Sequence, residues 1–317
     1  MNRRKTCHPV TVRVPRIGLT VIELLVVVGL LSLLVALLLP AVQRSRAAAQ
    51  RLTCVNQLKQ IVLASQHYHD QFGQFPGGSR HMEKLMPFME QAVDWTSFET
   101  AFTPPVFLCP SDPLVRVRHL ECSYFYSSGS GRVKFTGSGL EFDGMVYPAV
   151  STIKLISLRD VTDGTSTTAM YGERLNVGDR NAVTDSAALK NRKPHMWYMN
   201  RDYKLLTEFE AFQTDCLQNA STHTVPTLSP IFDGVTTIIG YNHTIPPNRP
   251  GCYSIAPPRH TGFDYINGAI PATSLHDGGV HTAFADGHVA FVSESIDDKI
   301  WMNLGSRNGG ESDVGSW

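Results

Sequence analysis

Between Leu24 and Leu39 the only polar side chain is Ser32. Carrying the stretch back to Leu19 gives 21 residues, interrupted only by Thr20, Glu23 and Ser32. As an α-helix rising 1.5 Å per residue this segment is roughly 30 Å long, about the thickness of a bilayer's hydrocarbon layer. It is too long for the apolar region of an ordinary signal peptide, and no A-x-A cleavage site lies just after it. The spacing predicts one membrane-spanning helix. Arg3, Arg4, Lys5, Arg13 and Arg16 precede it and favour a cytoplasmic amino terminus, although Arg44, Arg46, Arg51 and Lys59 follow closely.

The charge distribution agrees with that division. The formal net charge of the 317 residues is zero, with 28 basic and 28 acidic side chains. Residues 1–18 hold five bases and no acid, so the remainder carries 23 bases against 28 acids. A basic stub followed by a mildly acidic body is the mark of a targeting segment and a secreted portion. Charged residues make up only 18% of the chain, which excludes an acidic disordered tail and a strongly basic nucleic-acid binder.

Glu23 is the unusual residue of the apolar segment. Unpaired deep in lipid, a carboxylate costs roughly 2–3 kcal/mol. One reading places it at the interface, near the positive end of the helix dipole. The other reads the string Gly18-Leu19-Thr20-Val21-Ile22-Glu23-Leu24-Leu25, which resembles the class III leader of type IV prepilins and type II secretion pseudopilins. The resemblance implies cleavage by a prepilin peptidase after Gly18. Leu19 becomes the new, N-methylated amino terminus, although the family more often has Phe or Met there. Glu23 then pairs with the amino group of a neighbouring subunit, which fits the need of a buried carboxylate and a buried ammonium for partners.

Pro40 closes the apolar run, and a kink or break in the helix is expected there. Beyond it, Leu52, Val55, Leu58, Ile61, Val62, Ser65 and Tyr68 recur three or four apart and predict an amphipathic continuation to residue 72. Phe72-Gly73-Gln74-Phe75-Pro76-Gly77-Gly78 then breaks the helix. The two halves together would run about 75–80 Å, half in lipid and half on a globular domain. Residues 83–94 read as a short amphipathic helix through Leu85, Met86, Met89 and Val93. From about residue 100, β-prone runs alternate with Gly, Pro, Ser and Asp: Ser123–Ser127, Lys134–Phe135, Gly144–Tyr147, Thr167–Tyr171, Thr236–Tyr241 and Val280–Ser293. They predict a mostly antiparallel sheet with long loops, and 176–230 read as loop insertions. The expected class is α+β and pilin-like. Its divisions are a leader (1–18), a membrane helix (19–40), its amphipathic continuation (41–72) and an extracytoplasmic domain (73–317).

The clearest hairpin covers 274–294, with Asp286-Gly287 between apolar runs. A two-residue type I′ turn at those residues sets Phe284 opposite Val289, with Thr282, Phe284, Val289 and Phe291 on one face. A short helix at 296–304 follows, holding Ile300, Trp301 and Leu304. His276, nine residues, then Asp286-Gly287 forms an H-x9-DG motif. Together with Asn56-Gln57-Leu58-Lys59-Gln60, Leu108-Cys109-Pro110-Ser111-Asp112-Pro113 and Asp163-Gly164-Thr165-Ser166, it resembles a large bacterial prepilin-like family of unknown function, of the domain-of-unknown-function 1559 type. The matches span nearly the whole chain, least well over 176–260.

Cys54, Cys109, Cys122, Cys216 and Cys252 remain once the leader with Cys7 is removed. No C-x-x-C spacing is present, and one or two disulfides are expected outside the cytoplasm, with the pairing open. His276, His281, Asp286 and His288 invite a metal reading, but the hairpin is expected to separate them along a strand. Asp286 would then shape the turn and His276 would bond nearby backbone. Asp160 and Asp163 lie in an oxygen-rich turn that suits calcium, and Asp-Gly-Thr-Ser is equally an ordinary Asx-turn. No cofactor is otherwise expected. With no G-x-S-x-G, H-E-x-x-H or Walker loop, the chain is not expected to be an enzyme. Two classes of function remain. One is a structural subunit of the inner membrane, single-pass, that assembles with other pilin or pseudopilin subunits. The other is a non-polymerising surface protein whose domain binds a ligand or acts as a hydrolase. Nucleic acid is expected to be a partner of neither.

Overall fold

The computed structural model describes residues 20–77, 81–90, 103–112, 122–136, 139–146, 155–175, 196–199, 207–218, 224–225, 240–253 and 268–310. The basic leader, with Gly18 and Leu19, lies outside the described residues.

Helix α1 (Val21–Phe72) runs uninterrupted for 52 residues. Of the kink or break expected at Pro40, the break does not occur: the helix passes through that residue. Its start is an N-cap built by Thr20. Glu23 sits in the first turn, its Oε2 accepting from the Thr20 backbone N–H and hydroxyl, each at 2.9 Å. The Glu23 N–H returns to the Thr20 hydroxyl oxygen at 3.3 Å. This is the reciprocal capping box that T-x-x-E encodes. The far end is closed by Gly73 at φ +73°, whose N–H reaches the His69 carbonyl at 2.7 Å.

The chain divides into two compact units, residues 1–48 and 49–317. In the first, Val21 through Leu39 keep their large apolar side chains at least half exposed. This helix is long and apolar enough to cross a membrane, and its most apolar window is 0% buried within the chain.

In the second unit, the carboxy half of α1 buries Cys54, Leu58, Ile61, Val62 and Ser65, an i, i+4, i+7, i+11 stripe. Leu52, expected on that face, is exposed, because the stripe starts at Cys54 instead. The stripe belongs to the same core as a four-stranded antiparallel sheet, order β1-β4-β9-β10 (Tyr124–Tyr126, Ala169–Glu173, Gly279–Phe284 and Val289–Ser293). Polar bonds fix the packing. The Ser65 and Tyr171 hydroxyls lie 2.7 Å apart, and the Tyr124 hydroxyl donates to Gln57 Oε1 at 2.7 Å. Helix α2 (His81–Leu85) and a 3₁₀ turn (Met86–Met89) bury Leu85 and Met86 in this core. Val93 lies outside the described residues.

A small hairpin, β2 (Val133–Thr136) and β3 (Gly139–Phe142), stands apart from this sheet. A second four-stranded sheet has the order β6-β5-β7-β8 (Thr224–Val225, Met196–Tyr198, Gly251–Tyr253 and Gly268–Ala269), with β5 and β7 parallel. Helix α3 (Phe209–Gln218) contributes Phe212 and Cys216 to a second cluster with Met199, Ile245 and Cys252. The segment read as loop insertion, 176–230, therefore contains two strands and a helix. Gly144–Val146, expected to be strand, forms bends that bury Met145 and Val146. Helix α4 (Asp298–Gly305) follows β10, with the Asp297 carboxylate capping Lys299 and Ile300 N–H groups.

The β9–β10 register differs from a two-residue turn. Val289 pairs Ala283, Ala290 pairs Thr282 and Phe291 pairs His281. The Phe284 N–H donates to the His288 carbonyl at 2.9 Å, which leaves Ala285, Asp286 and Gly287 as a three-residue loop. Gly287 takes φ +91°, the left-handed position of a type I turn with a bulge. Cross-strand partners share a face, so Thr282 and Phe284 lie on one side and Val289 and Phe291 on the other. The Phe284 ring stacks on His288 at 4.4 Å.

Candidate functional site

Among the described residues, the densest concentration of chemistry lies where β4 meets β9, inside residues 49–317. Pairing of Gly172 with Thr282 brings the next residue, Glu173, beside His281. Glu173 is 3% exposed, and a buried carboxylate must be paired or hydrogen-bonded. It is bonded three times. Oε2 accepts from the His281 backbone N–H at 2.9 Å, and Oε1 lies 3.1 Å from both His281 Nδ1 and His276 Nε2. The two imidazoles stand edge to face, 4.9 Å between centroids. His276 is held in turn by its own N–H, which donates to Ser274 Oγ at 3.0 Å.

The sequence expectation that His276 and His281 lie apart, with His276 on nearby backbone, is therefore overturned. The stretch 274–278 is not strand, and it folds back so that both rings meet one carboxylate. Burial alone would raise the Glu173 carboxyl. The hydrogen bonds from His276 and His281 outweigh it and hold the group down at about 2. Arg51, on α1, completes the arrangement: its Nε lies 3.2 Å from His281 Nε2 and its guanidinium sits 3.9 Å over the Phe291 ring. An arginine Nε–H can only donate. His281 Nε2 therefore accepts, and the ring proton sits on Nδ1, aimed at Glu173.

A disulfide closes the other side. Cys54 of α1 and Cys109 are bonded with Cα atoms 5.2 Å apart, and Cys109 Sγ is 3.9 Å from His276 Nε2. Cys54, Cys109, Glu173 and His276 offer two sulfurs, an oxygen and a nitrogen that all lie within 4.8 Å of one another. A second disulfide joins Cys216 of α3 to Cys252 of β7. Cys122 is left as a buried thiol, pushed up to about 12 by burial, which keeps it an inert core side chain.

The remaining sequence-marked residues go to structural work. Asp286 Oδ1 accepts from the His288 backbone N–H at 2.9 Å and lies 2.6 Å from His288 Nδ1, so it does shape the turn. The Gly287 carbonyl accepts from Lys59 Nζ. His276 and Asp286 thus bracket β9 at opposite ends and do not converge. Asp160 Oδ2 takes the Ser157 N–H and hydroxyl in a capping box. Asp163 takes the N–H groups of Gly309 and Gly310 and the Ser306 hydroxyl. Asp160 Oδ2 and both Asp163 oxygens thus accept from protein donors. Sequence reasoning missed Glu173 and Arg51. The only signal for Glu173 was a carboxylate ending the otherwise uncharged strand Ala-Met-Tyr-Gly-Glu.

A long amino-terminal helix followed by a mostly antiparallel sheet domain places the chain in the α+β class. Residues 43–299 match the family described as protein of unknown function (DUF1559). The match covers most of the chain, and the protein belongs to that family. No curated protein and no solved structure matches it.

Proposed function

We propose that the protein is a non-catalytic, prepilin-like subunit of the inner membrane. A prepilin peptidase cuts it after Gly18, and it assembles through α1 with other pilin or pseudopilin subunits, its domain lying outside the cytoplasm. One observation carries the reading: every large apolar side chain from Val21 to Leu39 is at least half exposed. In water such a rod is strongly unfavourable, so it needs lipid or other helices around it. Glu23 sits at its very start, where a subunit interface would need a carboxylate. Both of its local donors reach Oε2, and a carboxylate accepts about four hydrogen bonds. The capping box therefore leaves capacity for an incoming ammonium.

The test has two arms. Mass spectrometry of the mature protein from its native host should find Leu19 as the first residue, with or without an N-methyl group. Glu23→Ala should remain in the membrane yet fail to enter filaments or to cofractionate with a secretion complex. Retention of Met1–Gly18 would refute processing. Undiminished assembly of Glu23→Ala would leave a simple membrane anchor.

A further inference from the structure

The geometry points to a second chemical state of the Cys54–Cys109 site: when that disulfide is reduced, the two sulfurs, His276 Nε2 and Glu173 Oε1 bind one zinc-class divalent cation. The four atoms belong to four distant parts of the sequence and lie within 4.8 Å of one another, all in buried residues. A tetrahedral zinc ion with bonds of about 2.0–2.3 Å spaces its ligands roughly 3.3–3.8 Å apart. The observed separations, 3.9 Å from Cys109 Sγ to His276 Nε2 and 3.1 Å from His276 Nε2 to Glu173 Oε1, are already close to that spacing. Two thiolates, an imidazole and a carboxylate are a donor set that favours zinc over calcium or magnesium, which prefer oxygen alone.

The second layer is also in place. Glu173 Oε2 is held by the His281 N–H, and Oε1 receives the His281 Nδ1–H, so the carboxylate is oriented before any ion arrives. Two thiolates and one carboxylate around a dication leave one net negative charge. Arg51, bonded to His281 Nε2 at 3.2 Å, sits where it offsets that charge.

The chemistry balances with a small-molecule thiol as reductant. Two R–SH molecules give R–S–S–R and convert the Cys54–Cys109 disulfide to two thiols; a phosphine with one water does the same and leaves the phosphine oxide. Binding of M²⁺ then releases the two thiol protons, while the proton on His276 Nε2 moves to Nδ1 of the same ring. The disulfide and the metal are mutually exclusive occupants of one buried pocket.

The experiment uses the full chain in detergent micelles, reduced with a phosphine and titrated with cobalt(II). The expected result is one cobalt per chain, with the intense visible bands of tetrahedral coordination and a thiolate-to-cobalt charge-transfer band. Zinc should displace the cobalt, and the oxidised protein should show neither band. His276→Ala should lose the tetrahedral bands at the same cobalt concentration. His281→Phe should weaken binding by about 10–100-fold. The Cys216→Ser/Cys252→Ser variant should behave as wild type. Should reduction unfold the chain, zinc should restore its near-ultraviolet circular dichroism, and failure to do so counts against the site. Folded, reduced protein without these bands, full binding by His276→Ala, or loss of binding only in the Cys216/Cys252 variant would each overturn the assignment.

Discussion

His81 is wholly enclosed, edge-on to the Tyr126 ring at 4.6 Å, and its Nε2 finds no hydrogen-bond partner among the described residues. Burial first, then the Lys84 charge, lowers this imidazole to about 3 from 6.5. Burial lowers His243 to about 3 as well, against the opposing bond to the Trp301 carbonyl. The consequence for stability has a definite sign. Below about pH 6.5 the unfolded chain takes up protons that these folded rings refuse, so stability falls with pH until about pH 3 and levels off below it. Between about pH 7 and pH 5 each ring accounts for a loss of about 2 kcal/mol. His81→Phe keeps the ring and removes the titration. Urea unfolding should find it at least as stable as wild type near neutrality and about 2 kcal/mol ahead near pH 5. An unchanged pH slope would show that His81 is hydrated or partnered.

At the scale of elements, the hairpin β9–β10 shows what pattern alone specifies. Alternation of apolar residues located both strands, and Asp286-Gly287 located their connection. The register turned on one φ angle. Gly287 is left-handed at +91°, and a Cβ there would lie 2.9 Å from the Gln66 amide. The flexible amide can move, but the backbone cannot, so Gly287→Ala should cost about 1–2 kcal/mol, measured by thermal or urea unfolding. A substitution without effect would contradict the bulged loop. Helix α1 was legible for the opposite reason: an apolar run and a 3.6-residue stripe are local signals that need no partner to be recognised. The same stripe carried the helix past Pro40, and only the break allowed for at that proline is not seen. The amphipathic stripe was right except at its edge, where Cys54, bonded to Cys109, is buried and Leu52 is exposed. The second sheet was hidden in weak patterning. Its strands β6 and β8 are two residues each, too short for alternation to register.

Across the whole second unit, what sequence could not supply is convergence between distant segments. Glu173 meets His276 and His281 only because β4 pairs with β9, and the cysteine pairing follows from the same packing. The carboxy-terminal segment repeats the lesson with a charge. Arg307 is completely buried, a cost that its hydrogen bonds and the nearby Asp143 carboxylate must offset. Its Nη1 donates to the carbonyls of Phe142 and Gly144 at 2.6 and 2.7 Å, and its N–H donates to the Asp143 carbonyl at 2.8 Å. Its own carbonyl accepts from the Thr162 and Asp163 N–H groups. One residue thus ties three separate stretches together: the end of β3, the turn before β4 and the exit of α4. Arg307→Met fills most of the volume but leaves two buried carbonyls without their donor, each costing about 1–3 kcal/mol. The substitution should therefore lower stability by about 3 kcal/mol or more, read from the shift in urea midpoint of the full chain in micelles. Tryptophan fluorescence, to which the buried Trp301 contributes, supplies the signal. Its denaturant slope should match wild type, because the loss is local bonding and not a change in compactness. A stability within about 0.5 kcal/mol of wild type would mean that water replaces the guanidinium there.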